Sequence, residues 1–82
     1  MRRLERIAVE SSSLASTGFE AEHNILEVEF RNGLVYEYFG VPQSVYEALL
    51  EATSKGAFMH RFIRDRYPHR QVERPRSADL TQ

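Results

Sequence analysis

Eighty-two residues with 41% apolar and 28% charged content suit one small soluble domain with a modest core. The absence of cysteine excludes disulfides and thiolate metal sites. The net charge of −1 conceals a split: residues 1–54 carry four arginines against nine glutamates, whereas residues 55–76 carry Lys55 and six arginines against Asp65 and Glu73.

No apolar run approaches the length of a membrane helix, and MRRLERIAVE lacks the apolar stretch of a signal peptide. The expected location is therefore the cytoplasm. In chain order, residues 4–9 (LERIAV) alternate in part and predict a first strand. Ser11, Ser12 and Ser13 suit a turn. A second strand is expected from about Leu14 to Ala21. Leu14 and Phe19 have the wrong parity for one face, so an irregularity near Gly18 is needed to turn both inward. Residues 25–31 (ILEVEFR) are a clear amphipathic strand, and Asn32-Gly33 predicts a hairpin to a returning strand over residues 34–39.

Pro42 opens a helix that runs to about Ala52, with Val45, Leu49 and Ala52 on its apolar stripe beside Tyr46 and Leu50. Thr53-Ser54-Lys55-Gly56 interrupts it, and Ser54 is a suitable N-cap for a second helix. That helix is expected to bury Phe58, Met59, Phe62 and Ile63, with Tyr67 one turn later. His60, Arg61 and Arg64 then fall on its other face, and Pro68 stops it. The residues from His69 onward have almost no apolar content and are expected to be a disordered polar tail, 69–82, after a single domain over 1–68. The fold class is α+β: an antiparallel sheet of three or four strands followed by two helices packed on one face.

Two hairpin registers compete. A two-residue loop at Asn32-Gly33 places Glu37 among core residues and sends Tyr36 and Tyr38 to the glutamate face. A three-residue loop, Arg31-Asn32-Gly33, with Gly33 in the left-handed conformation, pairs Val28 with Tyr36 and Leu26 with Tyr38. Leu26, Val28, Phe30, Leu34, Tyr36 and Tyr38 then share one face; Glu27, Glu29, Val35, Glu37 and Phe39 share the other. Burying an unpaired carboxylate costs several kcal/mol, which favours the second register. The tyrosines are thus expected to be core rather than an open stacking platform, with their hydroxyls at its edge.

Catalytic patterns are missing. His23, His60 and His69 have no metal-ligand spacing, the serines lack a nucleophile-elbow context, and Gly18, Gly33, Gly40 and Gly56 form no phosphate loop. Glu27 and Glu29 read as solvated strand carboxylates rather than paired acids. The expectation is a non-catalytic domain without cofactor or metal.

Taken together, several landmarks resemble the KTSC family, a short domain named for the C-terminus of some lysyl-tRNA synthetases and also found as a stand-alone bacterial protein. The resemblance runs from about Val9 to Pro68. It rests on VESSSL (9–14), Gly18-Phe19, LEVEF followed by Asn32-Gly33, the YEY motif at Tyr36 to Tyr38, Val41-Pro42, Tyr46, SKG (54–56) and IRDRYP (63–68). The order and spacing are more specific than any one motif. The chain departs in having His60 after Phe58-Met59, where the family often has an asparagine. The resemblance brings no catalytic residues. Its synthetase context implies RNA binding by association.

The basic segment gives that expectation its residues: Lys55, His60, Arg61, Arg64, Arg66 and Arg70, with Arg74 and Arg76 beyond. Glu27, Glu29 and Glu37 would repel phosphate from the open sheet face, so RNA is expected at the second helix and tail. The alternative expectation is a protein partner, engaged by an unpaired sheet edge or by Val35 and Phe39 on the acidic face. Neither expectation involves a membrane.

Overall fold

The computed structural model describes residues 6–72. The sheet is a five-stranded antiparallel meander, with the strands side by side in chain order. They are β1 (Ile7–Ala8), β2 (Leu14–Glu20), β3 (Ile25–Phe30), β4 (Val35–Phe39) and β5 (His69–Gln71). Between β4 and β5 the chain forms α1 (Gln43–Glu51) and α2 (Lys55–Phe58), and α2 continues into one π turn, Met59–Ile63. The α+β expectation therefore stands, with one strand more than expected. Of the expected first strand, residues 4 and 5 lie outside the described residues, and Ile7, at its centre, is exposed.

The β3–β4 hairpin adopts the three-residue loop. Val28 pairs with Tyr36 and Leu26 with Tyr38. The Gly33 N–H donates to Phe30 O at 2.9 Å, and the Phe30 N–H donates to Leu34 O at 2.9 Å. Gly33 has φ +92°, a conformation that costs a side-chain-bearing residue about 1–2 kcal/mol. Leu34, expected on the core face, sits at the hairpin tip and is exposed.

The irregularity in β2 lies between Leu14 and Ser16, not at Gly18. Leu14 pairs with Phe30 and Thr17 with Val28, so the extra residue at Ala15 restores the inward parity of Leu14, Thr17 and Phe19. Phe19 stacks on Tyr46 of α1 with ring centroids 5.1 Å apart. Thr17, fully buried, lies 3.4 Å from the Tyr46 hydroxyl, which gives its own hydroxyl a hydrogen-bond partner.

The core sits between the sheet and the helices and contains Leu14, Leu26, Val28, Tyr38, Val41, Leu49, Met59 and Ile63. Pro42 precedes α1 as its cap residue, and Ser54 caps α2 by accepting the Ala57 N–H at 3.3 Å. Beyond Phe58 the ladder changes: the Arg64 N–H donates to Met59 O at 2.8 Å, five residues back. Met59 and Ile63 are buried there, whereas Phe62, expected in the core, is 45% exposed and lies against Phe58. A regular 3.6-residue period does not carry through the π turn, and Phe62 falls on the solvent side.

The polar segment from His69 corrects another expectation. Residues 69–71 form an edge strand on β4, pairing Tyr38 with His69, Glu37 with Arg70 and Tyr36 with Gln71. The flanking bonds are Phe39 N–H to Pro68 O at 2.9 Å and Val72 N–H to Val35 O at 2.7 Å. Residues 73–82, with Arg74 and Arg76, lie outside the described residues. β5 also changes the sheet's second face. Glu37, expected to be solvated there, is only 7% exposed and accepts a bond from Arg70 Nε at 3.2 Å. The chosen register thus buries a carboxylate after all, but one paired across the added strand. On the same face Arg6 pairs with Glu27 at 3.2 Å, and Ser16 Oγ donates to Glu29 at 2.9 Å.

Candidate functional site

A cleft of about 400 Å³ opens between the β3–β4 hairpin and the second helix, on the helix-bearing side of the sheet. Its apolar wall is built by strand alternation: Phe30, Tyr36 and Tyr38 project from one face of neighbouring strands. Phe30 meets Tyr36 edge to face at 5.8 Å, and Tyr36 lies 6.4 Å from Tyr38. His69 of β5 extends this aromatic surface, with its ring 5.7 Å from Tyr36 and 5.3 Å from Tyr38. Phe30 and Tyr36 are half-buried, whereas Tyr38 is 3% exposed and belongs as much to the core as to the cleft.

The opposite wall comes from the helix. Met59, His60 and Arg64 line it, His60 and Arg64 from exposed positions four residues apart. His60 belongs to the π turn, a distortion found frequently at functional sites, and Arg64 directly follows it. Gly56 and Ser13 close one end. A Cβ on Gly56 would lie 2.6 Å from Ser13 Oγ, so the glycine allows α2 to approach the β1–β2 connection.

Among the lining residues no side chain is acidic, and Arg64 carries the only permanent charge. That charge reaches the aromatic wall. Burial raises the Tyr38 hydroxyl above its ordinary pKa of 10.0, the Arg64 guanidinium opposes the rise, and Tyr36 adds to it. The carboxylates Glu27, Glu29 and Glu37 lie on the other face of the sheet. The cleft therefore combines ring surfaces, imidazoles and a guanidinium: groups able to hold a planar ring and an anion side by side.

The structure separates the basic residues named from sequence. His60 and Arg64 meet at the cleft, and Arg64 continues into a shallow groove with Asp65, Arg66, Tyr67, Pro68 and His69. Arg61 is exposed on the same turn but does not line the cleft. Lys55 donates from Nζ to Ala52 O at 3.1 Å and thereby satisfies a carbonyl at the end of α1. Arg70 faces the other side of the sheet, at Glu37. His69 and the aromatic wall were not among the expected site residues. The sequence places His69 in the polar tail, and the tyrosines in the core with only their hydroxyls at its edge.

Other features carry less chemistry. Val35, expected on an open face, is buried, and β5 occupies the edge of β4. Glu20, Glu22 and His23 bring ligand-capable atoms within 4.8 Å of one another on the β2–β3 turn. His23 Nδ1 already lies 2.6 Å from Glu20 Oε2, and His23 and Glu22 are exposed. Among the described residues no helix is long and apolar enough to cross a membrane.

Comparison with known proteins gives this geometry a context. A family model described as the KTSC domain matches residues 10–67. An uncharacterized protein of Stutzerimonas stutzeri is 44% identical over 64 residues, covering 78% of this chain and 90% of its own length. A lysine–tRNA ligase of Trichormus variabilis is 40% identical over 63 residues, covering 77% of this chain and 11% of the enzyme. The crystal structure of a KTSC domain protein from Yersinia pestis superposes with a TM-score of 0.82 at 32% identity, covering 87% of this chain and all of that one. Three of the segments that carried the resemblance in sequence, VESSSL, YEY and SKG, each contribute residues to the cleft: Ser13, Tyr36 with Tyr38, and Gly56.

Proposed function

The chain belongs to the KTSC domain family, and on that premise we propose that it is a non-catalytic RNA-binding domain whose contact surface is the cleft and the arginines beside it. The observation that carries the reading is the cleft itself, an aromatic wall facing His60 and Arg64 with no carboxylate among its lining residues. Arg61 and Arg66 are exposed nearby and extend the cationic surface that a phosphate backbone requires. Glu27, Glu29 and Glu37 lie across the sheet, where they do not oppose an approaching polyanion; Asp65, in the adjoining groove, stands between Arg64 and Arg66. A relative named lysine–tRNA ligase contains a matching segment in a protein that acts on tRNA, which adds support by context. Lys55 and Arg70 have structural partners and are assigned no RNA contact.

The test is a binding titration against a short structured RNA over a range of salt. Arg61→Glu with Arg64→Glu alters two exposed side chains. The double variant is expected to stay folded, to bind much more weakly, and to lose roughly one unit of salt slope per abolished phosphate contact. Wild-type protein without affinity even at low salt, where surface electrostatics are strongest, overturns the reading.

A further inference from the structure

Phosphate contacts alone do not account for the aromatic wall. We infer that the cleft receives a single unpaired nucleotide, its base against Phe30 and Tyr36 and its phosphate at His60 and Arg64. This inference rests on the RNA-binding reading and adds to it the element of RNA that is recognised.

Three observations converge. The first is size: about 400 Å³ falls near the lower end of ligand pockets, roughly 300–1,000 Å³, and suits one nucleotide better than a duplex. The second is chemistry. Phe30 and Tyr36 are half-buried and line the cleft, so they offer ring surface to a base, and stacking of this kind tolerates every base. His60 and Arg64 stand on the facing helix, donors on the wall opposite the rings. The third is charge. With Arg64 as the only permanent charge among the lining residues, the cleft favours a ligand of one or two negative charges. Proteins read RNA sequence and shape largely at bulges, loops and ends, where unstacked bases can be turned out. The aromatic residues lie in a recess between hairpin and helix, not on an open sheet, so a base must leave its helix to reach them.

The experiment uses wild-type protein and three labelled blunt-ended RNA duplexes. One is fully paired, one carries a single-nucleotide bulge, and one carries the same bulge with an abasic residue. Binding is followed by fluorescence anisotropy, and the protein's amide resonances are followed by NMR. The bulged RNA is expected to bind roughly 5- to 150-fold more tightly than the abasic one, the range for stacking of one base. Resonances of Tyr36, His60, Arg64 and His69 are expected to shift with the bulged RNA and much less with the abasic RNA. Tyr36→Leu is expected to remove the preference while leaving salt-dependent binding. Equal affinity of wild type for the bulged and abasic RNAs overturns the inference but leaves the RNA-binding reading intact. Absence of binding to all three at low salt overturns both.

Discussion

Ile63→Ala is expected to cost more stability than Phe62→Ala, although phenylalanine is the larger side chain. Ile63 is fully buried and Phe62 is 45% exposed. Removing three buried carbons from Ile63 costs about 2.4 kcal/mol at ~0.8 kcal/mol each. A residual cavity of about 50 Å³ adds about 1.2 kcal/mol at ~24 cal/mol per Å³, so the loss runs from roughly 2.4 kcal/mol if the site collapses to roughly 3.6 kcal/mol if the cavity persists. A fully buried phenylalanine costs about 3–5 kcal/mol on truncation. With nearly half of Phe62 already in water, and no closed cavity left behind, about 1–2 kcal/mol is expected. A domain of 82 residues has a total stability of roughly 4–12 kcal/mol, so the first loss is a large share of it. Urea titrations of the two variants measure the difference directly, and thermal midpoints are expected to fall by roughly 10–25 °C for Ile63→Ala. If Phe62→Ala costs as much as Ile63→Ala, the helix is regular through residue 63, Phe62 lies in the core, and the π turn is refuted.

Two further outcomes test the walls of the cleft. Gly56→Ala brings a Cβ to 2.6 Å from Ser13 Oγ, and a strain of ~1–3 kcal/mol outweighs the gain of about 1 kcal/mol in helix propensity. In a Ser13→Ala background the penalty is expected to shrink by at least about 0.5 kcal/mol; additive effects in a double-mutant cycle would contradict the contact. Tyr38 has a folded-state pKa above its ordinary 10.0, chiefly through burial, so the unfolded chain loses this proton first. The associated stability is fully present below pH 10 and is lost as pH rises through the folded value. Urea midpoints measured between neutral and strongly alkaline pH are expected to fall less steeply for Tyr38→Phe than for wild type, and parallel curves would exclude this role.

The hairpin shows what sequence alone determines here. Alternation from Ile25 to Phe30 and the Asn32-Gly33 turn are local constraints that narrow the hairpin to two registers, and the fold adopts the one that pairs Val28 with Tyr36. The caps at Pro42 and Ser54 are local in the same sense. β5 is different. His69, Arg70 and Gln71 have no apolar alternation, and all three remain exposed. They form a strand because β4 offers a row of unpaired backbone groups beside them, which becomes visible only once the sheet exists. The burial of Glu37 follows from that added strand and its Arg70, and so was invisible to a rule about isolated carboxylates.

Phe62 faces outward because the i+5 hydrogen bonding of the π turn, as from the Arg64 N–H to Met59 O, breaks the period from which its burial is expected. The cleft was legible only in fragments. Its tyrosines could be assigned to a face, and its basic residues to a helix, from periodicity. Their meeting with Ser13, Gly56 and His69 required the fold, because spacing along a chain encodes which side a residue faces but not which distant side faces it.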